Sequence, residues 1–403
     1  MISITQGLIL LASAAACSVS SASSSNTISA RADNEIFISH DGNCIAFATT
    51  TPLTTGHAIG KGVYVFRRTD TRLRLVAKST PQNGTAEQLD LIGLTDDCKQ
   101  LAFQRWTNSN SSIIISSVDD VFADSKEPFE RVIANVANVS KPEFVRLASD
   151  GSALAWVDRL PTPSRENSAA FVLLLDSPQR LKIVVPGSTG SVHETPFPKF
   201  LGPNADWVLL SNSVAQKKAG YISPVLVAGR TDSKYSSMYT TVVRPRKCEF
   251  MQCLAISGNG RNCLLEISET SCGDRTGKVR PAAIPVRYLV FDFLEQRSAE
   301  LRFVDDLRRE GHVIVHTMST SGSDVLVSTG RREGYETKTC TQVYEVYGSK
   351  PKGSGACLDT GFGKYTIIRA KFSADGHWLV LSLINFDPAG PGTYHVAITR
   401  SGD

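Results

Sequence analysis

One short pattern returns seven times along the chain and limits what it can fold into. It reads apolar residue, Ser, any residue, Asp or Asn, Gly, and then, two or three residues on, an apolar run. The cleanest copies are Ile38-Ser39-His40-Asp41-Gly42, Ala148-Ser149-Asp150-Gly151 and Phe372-Ser373-Ala374-Asp375-Gly376. Looser copies are Leu94-Thr95-Asp96-Asp97-Cys98, Leu201-Gly202-Pro203-Asn204-Ala205, Ile256-Ser257-Gly258-Asn259-Gly260 and Met318-Ser319-Thr320-Ser321-Gly322. The last residues of these turns fall at 42, 98, 151, 205, 260, 322 and 376, in steps of 56, 53, 54, 55, 62 and 54. Gly accepts positive φ and Asp bonds its own local backbone, so each copy reads as a hairpin turn.

Apolar runs flank every turn. Those after it include Cys44-Ile45-Ala46-Phe47-Ala48, Ala153-Leu154-Ala155-Trp156-Val157 and Trp378-Leu379-Val380-Leu381. Unbroken apolar runs of this length suit strands buried on both faces. A second run follows each, such as Val63-Tyr64-Val65-Phe66, and short outer runs such as Leu73-Arg74-Leu75-Val76 close most repeats. A period of about 40–50 residues or slightly more, with four strands per period, predicts a propeller. The expected fold is all-β: seven four-stranded antiparallel blades over residues 34–403.

The seventh repeat runs out of chain, because only five residues follow Ile398. The stretch Asn26-Thr27-Ile28-Ser29-Ala30-Arg31 is expected to supply its missing strand, since an open ring leaves an unpaired sheet edge. Residues 23–33 are thus read as a Ser-rich leader carrying a ring-closing strand. Ile9 to Ala16 is a short apolar run followed by small residues, too short to span a bilayer. Residues 1–22 are therefore expected to be a cleaved signal peptide, with no transmembrane segment and a secreted or envelope location. The n-region lacks Lys and Arg. Ala14-Ala15-Ala16-Cys17 offers a lipid anchor at Cys17 as the lesser alternative, with Ala where a larger aliphatic residue is wanted.

Nine cysteines fit export. Without Cys17 the count is even, which favours disulfides. Cys253 and Cys263 flank the turn at Ser257 to Arg261, and Cys248 and Cys272 flank it further out, so Cys253–Cys263 and Cys248–Cys272 are the expected pairs. Cys340–Cys357 and Cys44–Cys98 complete the set. No CxxC pair occurs, which argues against zinc. Net charge is +4, from 43 basic and 39 acidic residues, too balanced to indicate nucleic acid.

The turn and following strand, Phe372-Ser373-Ala374-Asp375-Gly376-His377-Trp378-Leu379-Val380-Leu381, resemble the WD40-like repeats of TolB-type propellers. The Trp-Asp signature of true WD40 repeats is absent; Trp156-Val157-Asp158 is the nearest approach. The resemblance covers nearly all of the mature chain. It implies an exported platform that binds proteins; related propellers gate serine peptidases, and others form lyase sites.

Catalytic motifs are absent: there is no G-x-S-x-G elbow and no phosphate-binding loop, since Gly363-Lys364 is followed by Tyr365. Asp96-Asp97, Asp119-Asp120 and Asp305-Asp306 are expected in solvated turns. His312 and His316 bracket Val313-Ile314-Val315 in the first strand of the sixth repeat. Positions i and i+4 on a strand share a face, roughly 13 Å apart, too far for one metal but suited to lining a channel. They are the candidate binding residues. No metal and no cofactor is expected. Asn83, Asn110 and Asn138 head glycosylation sequons that chance alone explains. The expected function is an exported, monomeric, non-enzymatic propeller binding a protein, peptide or glycan through its loop face or channel mouth. A propeller-fold polysaccharide lyase or hydrolase is the alternative.

Overall fold

In the computed structural model all seven turns form where the sequence places them. The N–H groups of Gly42, Cys98, Gly151, Ala205, Gly260, Gly322 and Gly376 each donate to the carbonyl three residues earlier. All seven residues sit at positive φ, between 53° and 77°. The motif serine explains itself. The hydroxyls of Ser39, Thr95, Ser257, Ser319 and Ser373 each accept the N–H five residues on, which opens the next strand. Ser39, Thr95, Ser257 and Ser373 also donate to the Asp or Asn two residues on. A buried hydroxyl with both roles filled costs little, whereas an unpaired one costs about 1–3 kcal/mol.

The structure describes the chain from Ser20 to Ser401. It leaves out residues 1–19 and 402–403 and a set of connections, the longest being 160–167, 185–196, 212–225, 241–248 and 270–283. Among the described residues nearly all regular structure is strand, in six hydrogen-bonded sheets. The first, second and fifth repeats each form a four-stranded antiparallel sheet. The first, for instance, runs Ile36–Ile38, Cys44–Thr55, Ala58–Arg67 and Arg72–Lys78.

Four repeats depart from the expected separate sheets of four antiparallel strands. The third and fourth are joined through their outer strands, Arg180–Val184 and Lys234–Thr240, which run parallel over three residue pairs and make one eight-stranded sheet. The sixth has three strands among the described residues. The seventh has five: Ser25–Ile28 pairs antiparallel with Thr393–Arg400, and Ser20–Ala22 adds outside it. The N-terminal segment thus lies in the sheet of the C-terminal strand.

Seven apolar clusters hold the sheets together, and each spans two consecutive repeats. The last joins the seventh repeat to the first, with Ile28, Val380, Val396 and Ile398 packed against Ile45, Phe47 and Tyr64. The turns interlock in the same order. Gly42 lies against Trp378, Gly151 against Gln100, Gly260 against Trp207 and Gly322 against Asn262; each partner opens the second strand of the preceding repeat. Cys98 occupies the glycine position of its turn and is disulfide-bonded to Cys44, the equivalent opening residue.

Two α-helices are present among the described residues. Val118–Phe122 is capped by Ser117, whose hydroxyl accepts the Asp120 N–H. Phe303–Glu310 begins with Asp305 and Asp306 and ends with Arg308 and Arg309, in the sense the helix dipole favours. Asp119-Asp120 and Asp305-Asp306 therefore lie in first helical turns, not in the loop turns expected of them. No helix among the described residues is long and apolar enough to cross a membrane.

Candidate functional site

The first strand of every repeat is an edge strand of its sheet, and the first strands pack side by side from the fifth repeat through the seventh and the first to the fourth. Their residues consequently line a common interior. Six of the seven carry a β-bulge: at Ile92, at Phe144 and Val145, at Lys199, at Leu254, at His316 and at Ile368. A bulge leaves one residue unpaired and re-aims its side chain.

One contact places charges in that interior. Arg146 Nη2 lies 3.0 Å from Glu35 Oε1. Glu35 precedes the first strand of the first repeat and Arg146 lies in that of the third, so the pair skips the second repeat and meets across the interior. Arg146 is held on its other sides too, with Nε donating to the Lys199 carbonyl at 2.9 Å and Nη1 to the Val145 carbonyl at 2.9 Å. Lys199, Arg369 and Lys371 bring further positive charge from the fourth and seventh repeats. The Lys371 ammonium stands 4.1 Å from the centre of the Phe37 ring, a cation–π contact.

The electrostatics follow from this crowding. Burial alone would raise the Glu35 carboxyl, but Arg146, Lys371, Lys199 and Arg369 together hold it below the usual carboxylate range. Burial pushes the Lys371 ammonium down and Arg146 pushes it further, against Glu35 and Asp96. Lys199 is lowered by burial, Arg146 and Arg369, against Glu35. Asp96, in the turn of the second repeat, is raised by burial and by Asp150, with a Ser149 hydrogen bond, His40 and Lys371 opposing. Four cations thus face two carboxylates at the turn end of the first strands. The arrangement suits holding an anion.

The two histidines expected to line a channel part company. His312 is exposed and pairs with Gly330, while His316 is the bulged residue between Val315 and Thr317. The bulge breaks the two-residue alternation on which a shared face depends. His316 stands three residues before its turn, as Lys199 does in the fourth repeat. Its Nε2 is 2.8 Å from Ser328 Oγ, which reaches Thr341 Oγ1 at 2.7 Å. Burial lowers its pKa to about 4, so it is neutral at pH 7. No group of three metal-ligating side chains occurs among the described residues.

Cys44–Cys98, Cys253–Cys263 and Cys340–Cys357 are paired, with Cα atoms 5.9, 6.5 and 5.1 Å apart. Cys253 and Cys263 do not face each other directly, because Cys253 is opposite Leu265 and Cys263 opposite Ile256; the bridge is diagonal. Cys248 and Cys272 lie outside the described residues, as does Cys17.

The charged group around Glu35 was missed by reading motifs. Its members sit 35 to 371 along the chain, and only the return of each first strand to one interior assembles them. A usable signal existed: Arg146, Lys199, Arg369 and Lys371 are cations in runs that otherwise read as buried strand.

No family model and no curated protein matches the chain. Solved structures do. An oligogalacturonate lyase from Vibrio parahaemolyticus is similar at a TM-score of 0.54 and 11% identity, over 92% of this chain and 93% of that one. A prolyl endopeptidase is similar at 0.54 and 9% identity, over 93% of this chain and 51% of the other. An acylaminoacyl peptidase from Pyrococcus horikoshii gives 0.50 and 10%, over 92% and 52%. The chain spans about half the length of either peptidase. At such identities the likeness is one of fold: the protein is all-β, of the propeller type.

Proposed function

We propose that the chain is an exported seven-bladed propeller, with residues 34–403 as its blades, that binds a protein, peptide or glycan at the turn-side mouth of its central channel. Seven turns, seven inter-repeat clusters in cyclic order and the pairing of Ser25–Ile28 with Thr393–Arg400 support the ring. Three disulfides and the apolar run at residues 9–16 support export. The ion pair of Glu35 with Arg146, formed between non-adjacent repeats, carries the assignment of the site. A wall of apolar and small residues would leave nothing in the channel to recognise a ligand; here the wall is charged.

Array binding tests this reading. The mature chain and an Arg146→Met/Lys371→Met double variant are probed against glycan and peptide arrays. The channel ligands are those the variant loses. A variant that is folded by circular dichroism and keeps every ligand overturns the assignment.

A second reading, a propeller-fold lyase acting on an acidic polysaccharide, is favoured by one observation. Lys371 stands near the Arg146 guanidinium with its ammonium against the Phe37 ring, a lysine next to a cation able to neutralise a substrate carboxylate. Its β-elimination would leave an unsaturated sugar, read directly by ultraviolet absorbance.

A further inference from the structure

Resting on the channel-mouth reading, we propose that Lys199, Arg369 and Lys371, set around the fixed guanidinium of Arg146, form a receptor for the acid group of an acidic glycan, with Glu35 as the resident counter-anion that the ligand partly displaces.

Three observations carry this. The first is imbalance. Lys199, Arg369, Lys371 and Arg146 face Glu35 and Asp96, which leaves two positive charges in excess in a partly enclosed space. Among the described residues, only Arg146 of the four has a carboxylate at salt-bridge distance. A like-charged group between protein walls concentrates the field on an incoming anion. The second is preorganisation. Two backbone carbonyls and Glu35 hold the Arg146 guanidinium, so an anion meets it without cost of ordering.

The third observation points to a sugar. Phe144 lies two residues before Arg146, in the bulge of the same strand, at a φ of 56° and 42% exposed. The left-handed region is costly for a phenylalanine, and backbone of this kind collects at ligand sites. An exposed aromatic residue on the strand that carries the arginine puts apolar surface and an acid-binding group on one element, which matches a pyranose ring bearing a carboxylate or sulfate. His40 and Asp150 are the remaining titratable neighbours, both acting on Asp96.

The test is calorimetric titration of the full mature chain at low salt. The probes are a uronic acid trisaccharide, a sulfated trisaccharide, the neutral trisaccharide and a hexapeptide of glutamate. The uronate or the sulfated sugar binds, at least tenfold more tightly than the neutral one, and the two arms tell carboxylate from sulfate. Lys371→Met and Lys199→Met weaken that binding tenfold or more. Glu35→Gln, which keeps the side-chain shape, tightens it several-fold. Equal binding of neutral and acidic sugars, or acidic binding unchanged in both lysine variants or not tightened by Glu35→Gln, overturns the acid receptor. Tighter binding of the glutamate peptide overturns the glycan class. If no probe binds, yet the Arg146→Met/Lys371→Met variant loses other array ligands, this inference falls while the channel site stands. If the variant loses none, both fall.

Discussion

Gly42 and Gly376 occupy equivalent turns, yet their surroundings differ. A Cβ on Gly42 would sit 2.4 Å from Trp378 Cγ, whereas one on Gly376 would meet nothing within 4 Å. Both need left-handed backbone, at φ 69° and 76°, which costs an L-residue about 1–2 kcal/mol. Gly376→Ala should therefore lose only that amount. Gly42→Ala should lose a further 1–3 kcal/mol or so from overpacking. Urea midpoints at constant slope measure the difference; equal losses would mean that the turn does not interlock with the neighbouring repeat. His316 makes a second residue-scale prediction. Its folded pKa of about 4 lies below the ordinary value of about 6.5. Between these values the unfolded chain binds more protons than the folded one, so stability falls as pH drops through that window. The slope is at most about 1.4 kcal/mol per pH unit. His316→Gln should flatten this stretch of the stability profile, as followed by melting temperature from pH 7 to pH 4.

Among the elements, the short strand Ser25–Ile28 bears the most testable load. It pairs with Thr393–Arg400, and Ile28 is fully buried against Val396 and Ile398. Ile28→Ala should cost about 2–5 kcal/mol, and deletion of residues 26–32 should lower the melting temperature of the whole domain. A truncated chain that melts with the full one would show that this strand closes nothing. The Cys44–Cys98 disulfide staples the first two repeats across a separation of 54 residues. Loop-closure entropy for that length is worth about 4 kcal/mol. Cys44→Ala/Cys98→Ala should therefore lower the denaturant midpoint clearly under oxidising conditions, with no change on adding reductant beyond that of the remaining bridges. The helix Phe303–Glu310 went unseen in the sequence because its acidic pair looked like turn chemistry. The spacing of the buried Phe303 and Val304 with Leu307, and the acidic-to-basic order along it, were the available signals.

For the molecule as a whole, each apolar cluster belongs to two repeats, so no repeat owns a complete core. Removing one should therefore deprive both neighbours. Tryptophan fluorescence, which reports Trp106, Trp156, Trp207 and Trp378 in four different repeats, should change in one transition coincident with far-ultraviolet circular dichroism. Separate transitions would mean that the repeats unfold as independent groups.

The local chemistry of the chain was enough to place seven turns, because each is closed by a backbone bond over three residues at a residue that accepts positive φ, and five of them also by a hydroxyl within five residues. The apolar runs beside them settled strand over helix, and the repeat spacing suggested sheets of one kind in succession. Partners set by register were beyond reach. Cys253 and Cys263 bridge diagonally because the hairpin register sets Cys263 opposite Ile256, and His312 separates from His316 because a bulge falls on His316. Glu35 and Arg146 are 111 residues apart in sequence and 3.0 Å apart in space. No local rule pairs them. Their meeting depends on how far each sheet turns relative to the last, which is a property of side-chain packing between sheets, and so the charged interior exists only once the tertiary structure has formed.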